Sequence, residues 1–175
     1  MRRFFSSAAI AALLVGCSPP APREAEAPES APQVQACNEL APSLSRLVRI
    51  EDELAVASAT SDLRGGILSP GTYDLTRAVR IGQATGWQGE RAVTLEVSEG
   101  ASGVVTFNWA GKAPGGEVDT WTAEFTDVAQ QGQLTYTCGR IGQVLAGFAT
   151  SANTLQLRLP DGANGSLQLD FTRRG

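Results

Sequence analysis

From Thr72 onward, apolar and polar residues alternate in short runs, and almost every run ends in Gly, Asn, Asp or Pro. Tyr73, Leu75, Val79 and Ile81 share one face of a first run; Val93, Leu95 and Val97 share one face of a second; Val105, Phe107 and Trp109 do so in a third. The pattern repeats in Trp121, Ala123 and Phe125, in Leu134, Tyr136 and Cys138, in Val144 to Ala149, in Leu155, Leu157 and Leu159, and in Leu167, Leu169 and Phe171. A period of two predicts strands with one buried face, so Cys138 is expected to point inward. The carboxylates Asp74, Glu96, Glu124 and Asp170 fall on the outward phase. Turns are predicted at Glu99-Gly100 to Ser102-Gly103, Gln130-Gln131-Gly132, Gly139 to Gly142, Ala152-Asn153 and Asp161 to Gly165.

None of these connections is long enough for a crossover helix, so consecutive strands should be neighbours. The reading is all-β, an antiparallel meander of about eight strands closed as an up-and-down barrel, which leaves no exposed edge. A two-sheet β-sandwich is the alternative. Residues 37–64 form an N-terminal extension whose apolar positions Leu40, Leu44, Leu47, Val48, Ile50, Leu54 and Val56 fit no single period. A short helix from Pro42-Ser43 to about Arg49, then an extended stretch from Ile50 to Ala57, is predicted there.

The start of the chain has a different character. Arg2 and Arg3 precede an apolar stretch from Ala8 to Val15, too short to span a bilayer. The run Leu14-Val15-Gly16-Cys17 resembles the lipobox of bacterial lipoproteins. That resemblance makes residues 1–16 a signal peptide and Cys17 the lipid attachment site, carrying diacylglycerol on sulfur and an acyl chain on its amine, palmitate being the usual one. Two lipid signals already suffice for stable anchoring, so a lipidated Cys17 implies a membrane-bound protein without a transmembrane helix. With Ser18 after the cysteine, the resemblance points to the outer membrane of the cell envelope. The following stretch is rich in Pro (19, 20, 22, 28 and 32), Ala and Glu (24, 26 and 29), which prevents ordered pairing and offers little to bury. Residues 17–36 therefore read as a lipid-anchored tether, with a reach of roughly 60 Å at ~3.1 Å per residue.

Residues 37–175 fit one domain. The chain carries 14 Lys plus Arg against 18 Asp plus Glu, and Lys112 is its single lysine, so nucleic acid is not an expected partner. Glu51-Asp52-Glu53 reads as a solvated face rather than a cation site. Once Cys17 is assigned to lipid, Cys37 and Cys138 remain as a pair in an exported chain and are predicted to form a disulfide. There is no histidine, which removes imidazole bases, Ser-His-Asp catalysis and His-ligated zinc. Lys112 sits in a turn-like loop, Gly139-Arg140-Ile141-Gly142 is a hairpin turn rather than a phosphate loop, and no carboxylate pair is singled out. The expectation is a protein that is not an enzyme and needs no metal or cofactor.

Gly65 to Thr76, with its Gly-Thr-Tyr-x-Leu-Thr core, together with Tyr136-Thr137-Cys138 and the C-terminal Leu167 to Arg174, resembles uncharacterised proteobacterial envelope lipoproteins with a lipocalin-like domain. Tyr73 stands where the lipocalin signature has Trp. The resemblance implies a lipocalin-like barrel and a non-enzymatic binding role. Trp109, Trp121, Phe107, Phe125, Tyr136 and Phe148 are candidates to line a pocket, with Trp87 in the loop Gly82 to Gly89 over its mouth and Arg173 near the opposite end. The competing reading, favoured by the low aromatic content, is that these side chains fill the interior and Trp87 is exposed. Expected partners are the membrane through Cys17 and either a small apolar ligand or another envelope protein, an inhibitor role being the alternative.

Overall fold

The computed structural model describes residues 36–53, 63–100, 102–128 and 131–175. The lipobox-like run, Cys17, the expected tether as far as Gln35 and the predicted extended stretch beyond Glu53 lie outside the described residues. Nine strands follow in chain order: β1 (Val48–Glu53), β2 (Gly71–Gly82), β3 (Glu90–Glu99), β4 (Val105–Lys112), β5 (Val118–Val128), β6 (Gln131–Cys138), β7 (Gln143–Thr150), β8 (Thr154–Pro160) and β9 (Gly165–Arg173). From β2 to β9 each strand pairs antiparallel with the next, and β9 pairs back to β2 from Tyr73↔Arg173 to Gly82↔Gly165. The eight alternating runs thus close into an antiparallel up-and-down barrel, as predicted, and the sandwich is set aside.

The ninth strand is the first difference. No helix forms in the described part of the extension; Arg46 N–H donates to the Ser43 carbonyl in a single turn (2.9 Å), and the chain then enters β1. β2 and β3 pair only between Gly71–Asp74 and Thr94–Val97 and then separate. β1 fills the opening, parallel to β2 from Ile50↔Ala78 and antiparallel to β3 at Val48↔Arg91. Closing that gap satisfies backbone groups that a helix would leave open on the sheet, and Val48 and Ile50 pack against the core.

Two bulges shift the side-chain phase, and each corrects a predicted face. Between Leu75 and Arg77 the β2–β9 register skips one residue, Thr76. Beyond it Ala78 joins Tyr73 and Leu75 in the core, while Val79 and Ile81 lie opposite Gln168 and Ser166 on the outer phase, though still buried. Between β5 and β6 the register runs Thr122↔Cys138 and then Ala123↔Tyr136, leaving Thr137 extra. Tyr136 therefore keeps the inward phase, and Cys138 faces outward beside Thr122 instead of inward. An extra residue in a strand reverses every face beyond it.

The core runs along the barrel axis. Phe107 stacks on Phe125 with centroids 5.0 Å apart, Phe125 meets Phe148 edge to face, and Leu95, Leu134, Leu157 and Leu169 are buried around them. Gly132, predicted as a turn residue, lies instead inside β6, paired with Asp127 and Ala146, and its glycine leaves room for the Phe125 ring, with which a Cβ would collide. Tyr73 closes this end, its hydroxyl donating to the Ser69 carbonyl at 2.7 Å.

On the outer wall, residues 36–47 form a strap. The Cys37–Cys138 disulfide pins it to β6, as predicted, with Cα atoms 5.5 Å apart. Cys37 N–H donates to Thr120 Oγ1 (3.1 Å), Asn38 Nδ2 to the carbonyls of Trp121 (3.1 Å) and Trp109 (3.3 Å), and Ser43 N–H to Thr94 Oγ1 (3.3 Å). The strap ends over a buried carboxylate, Asp74, which is 3% exposed. Arg174 donates to both of its oxygens (2.7 and 2.8 Å) and Thr94 Oγ1 donates at 2.9 Å, with Arg46 at 3.7 Å. Of the acidic run, Glu51 pairs with Arg77 (2.9 Å) and Asp52 with Arg80 (2.6 Å), on solvated side chains as expected.

Candidate functional site

An up-and-down meander places alternate loops at opposite ends, so the loops after β2, β4, β6 and β8 gather at one mouth of the barrel. That end is hollow. A cavity of about 350 Å³ is lined by Trp87 and Gly86 from the β2–β3 loop, Arg91 on β3, Trp109 on β4, Asp119 and Trp121 on β5, Arg140 from the β6–β7 loop, Leu159 and Pro160 on β8, Asp161 beyond it and Leu167 on β9. The volume is at the lower end of small-molecule sites. Two other hollows, lined by Gly66 to Leu68 with Ser102 to Val105, and by Leu63, Leu145, Gly147 and Arg158, lie at the opposite end and on the outer wall and bring together less chemistry.

Register builds the floor of the cavity. Trp109 and Trp121 are direct cross-strand partners, and their rings stack at 5.1 Å with planes 14° apart. Gly111, two residues beyond Trp109 on the same face, leaves room for the indole; a Cβ there would sit 2.9 Å from Trp109 Nε1. Trp87 leans on Trp109 at 5.7 Å, and the Arg91 guanidinium lies 4.8 Å above Trp87. At the other end, Arg140 sits 5.7 Å from the Trp121 ring and 5.8 Å from Tyr136, which meets Trp121 edge-on. The result is an aromatic column capped by a guanidinium at each end, in the arrangement that favours cation–π attraction. The mouth loops are tied together by Gly86 N–H donating to Asp161 Oδ2 at 2.7 Å and Gln83 N–H to the Asn164 carbonyl at 3.2 Å.

Polar satisfaction here is incomplete in one direction. Trp109 and Trp121 are each 1% exposed, yet neither Nε1–H has an acceptor, and the buried Arg91 Nε has none either. Arg140 is paired with Asp119 at 3.5 Å, whereas Arg91 has no ion pair among the described residues. The unmet buried side-chain atoms of the residues around the cavity are all donors, on indole and guanidinium groups that have no acceptor capacity.

Of the predicted pocket residues, Trp87, Trp109 and Trp121 come together. Trp87 is half-buried over the mouth and not exposed. Tyr136 supports Trp121 from the side, Phe107, Phe125 and Phe148 fill the interior beneath, and Arg173 lies at the far end against Gly71. The interior is thus filled deep and open at one mouth. Arg91, Arg140, Asp119 and Asp161 were not singled out by sequence reasoning. Loop parity was the available signal: Arg140 and Asp161 stand in turns on the same side of the meander as Trp87.

No protein-family model matches the chain, and no curated protein matches it. Among solved structures, a de novo designed fluorescence-activating β-barrel is similar at 13% identity, over 61% of this chain and 94% of the design, with a TM-score of 0.42. Among the described residues no group of three or more His, Cys, Asp or Glu is placed to hold a metal ion.

Proposed function

We propose that this chain is a lipid-anchored envelope protein, without enzymatic activity, whose barrel holds a small ligand in the cavity at its mouth. The observation that carries the binding role is the cavity itself, where Trp87, Trp109 and Trp121 line a hollow of about 350 Å³ above an otherwise filled interior. The anchoring role is supported by the lipobox-like Leu14 to Cys17 and the tether that follows it.

Native mass spectrometry of the full chain, purified in lipid nanodiscs, tests the binding role. A low-mass adduct is expected in the wild type and absent from Leu159→Trp, which places an indole in the cavity. Wild-type protein free of adduct, or an adduct retained in that variant, counts against this mouth as a ligand site.

A further inference from the structure

We infer that the mouth end of the barrel docks on the phospholipid bilayer that anchors the chain, with Ile141 and Val118 set into the headgroup layer; this rests on the reading of Cys17 as a lipid anchor. The place where the chain enters the domain is the first ground. Cys37 is bonded to Cys138, the last residue of β6, and its Sγ lies where a Cβ on Gly139, in the β6–β7 turn, would be 2.9 Å away. Its N–H donates to Thr120, near the start of β5. From there the strap runs along the wall to Ser43 at Thr94, midway along β3, so the stretch before Cys37 joins the domain at the mouth.

Exposed apolar side chains flank that point. Ile141, in the β6–β7 turn, is fully exposed (102%), and Val118, which opens β5, is 46% exposed. The Arg140–Asp119 ion pair (3.5 Å), one residue from each, draws the turn and the strand start together. Trp87, half-buried over the mouth, is of the residue type that settles at membrane interfaces. The loop residues 83–89 and 162–165 carry no ionisable side chain, and Arg140 is neutralised by Asp119. Laying this rim on zwitterionic headgroups therefore strips water from few charges. The opposite end also exposes Ile67 and Val104, but turning it to the lipid requires the tether to run the length of the barrel.

An isoleucine and a valine bury less than a myristoyl chain, which alone binds membranes only marginally, so the rim does not hold the protein there unaided. The tether supplies the rest, because it keeps the barrel at high local concentration above the surface, where a small preference decides which end faces the lipid. That orientation turns the cavity opening towards the bilayer.

The test uses the full chain in phosphatidylcholine nanodiscs, carrying a bimane fluorophore at Ala163→Cys in the β8–β9 loop of the mouth or at Ser102→Cys in the β3–β4 turn of the opposite end. Both positions are exposed, and the bridged Cys37 and Cys138 do not compete for the label. Phosphatidylcholine with a nitroxide on its headgroup is the quencher. Strong quenching is expected at Ala163→Cys and little at Ser102→Cys. In Ile141→Ser the ratio of docked to undocked barrels, read from the mouth label, should fall about threefold or more, a part of what complete burial of the side chain is worth. Val118→Ser should lower the same ratio independently. Equal quenching of the two labels, stronger quenching at Ser102→Cys, or mouth quenching indifferent to both serine variants overturns the docking while the anchor stands, and leaves the rim to a protein partner. A chain that does not co-isolate with the nanodiscs overturns the anchoring and the docking with it.

Discussion

Asp74 shows how one residue can have the right phase and an unexpected environment. Its place on the outward face of β2 follows from alternation, which on its own would leave a carboxylate in water. The strap and Arg174 cover it instead, and the two-oxygen hydrogen bonding from Arg174 holds the carboxyl below its usual range, against burial pushing upward and with Thr94 assisting. A carboxyl whose folded value is lowered stabilises the fold in full above the ordinary carboxylate range, and loses that contribution as pH falls through the lowered value. Asp74→Asn should therefore cost about 2 kcal/mol at pH 7, the scale of hydrogen bonds to a charged group. In urea titrations the gap between wild type and variant should narrow below about pH 4, where the unfolded chain takes up the proton first. A gap that stays constant through acid pH would assign the loss to shape rather than charge.

At the scale of elements, the disulfide ties the strap to the hairpin that carries Arg140. Cys37 and Cys138 are separated by 101 residues, and closing a loop of that length stabilises by about 4 to 5 kcal/mol in the chain-entropy model. Replacing both cysteines by serine should remove most of that in denaturant titration. Amide exchange should quicken first at Cys37 and Ser43, whose N–H groups bond to Thr120 and Thr94, while the paired amides of β8 and β9 hold until global unfolding. Exchange that quickens uniformly would show that the strap has no independent motion. The strands from β2 to β9 were legible in the sequence because period-two alternation and short turns are local signals. β1 was legible only as an extended stretch from Ile50; its place in the sheet was not, because it fills the opening between β2 and β3, a property of the closed sheet. The same holds for Val79, Ile81 and Cys138, whose faces depend on the bulges at Thr76 and Thr137 that no composition marks. At the site, the tryptophans could be picked out by type, whereas the place of Arg91 beside them became visible only once register had set two indoles side by side.

At the scale of the whole molecule, the proposed membrane attachment turns on the N-terminal segment. The apolar run from Ala8 to Val15 is too short to cross a bilayer, and the stretch from Ser18 to Ala36 is rich in proline and charge, with little to bury in either lipid or protein. Under the proposed anchoring, attachment rests on a lipidated Cys17. If the lipobox resemblance describes the chain, wild-type protein should partition with membranes, resist a high-salt wash, and carry an added mass matching diacylglycerol plus an acyl chain. Salt releases proteins held by surface charge, and an acidic chain has little attraction to anionic lipid, so persistence through the wash singles out acyl chains. If residues 17–36 act as a spacer, Cys17→Ser should appear in the soluble fraction with an unchanged melting temperature. Cys17→Ser found in the membrane fraction would mean that the uncleaved N-terminal segment or the barrel itself binds lipid. A fall in its melting temperature would mean that the lipidated end packs on the barrel, and the reading of residues 17–36 as a spacer would fail.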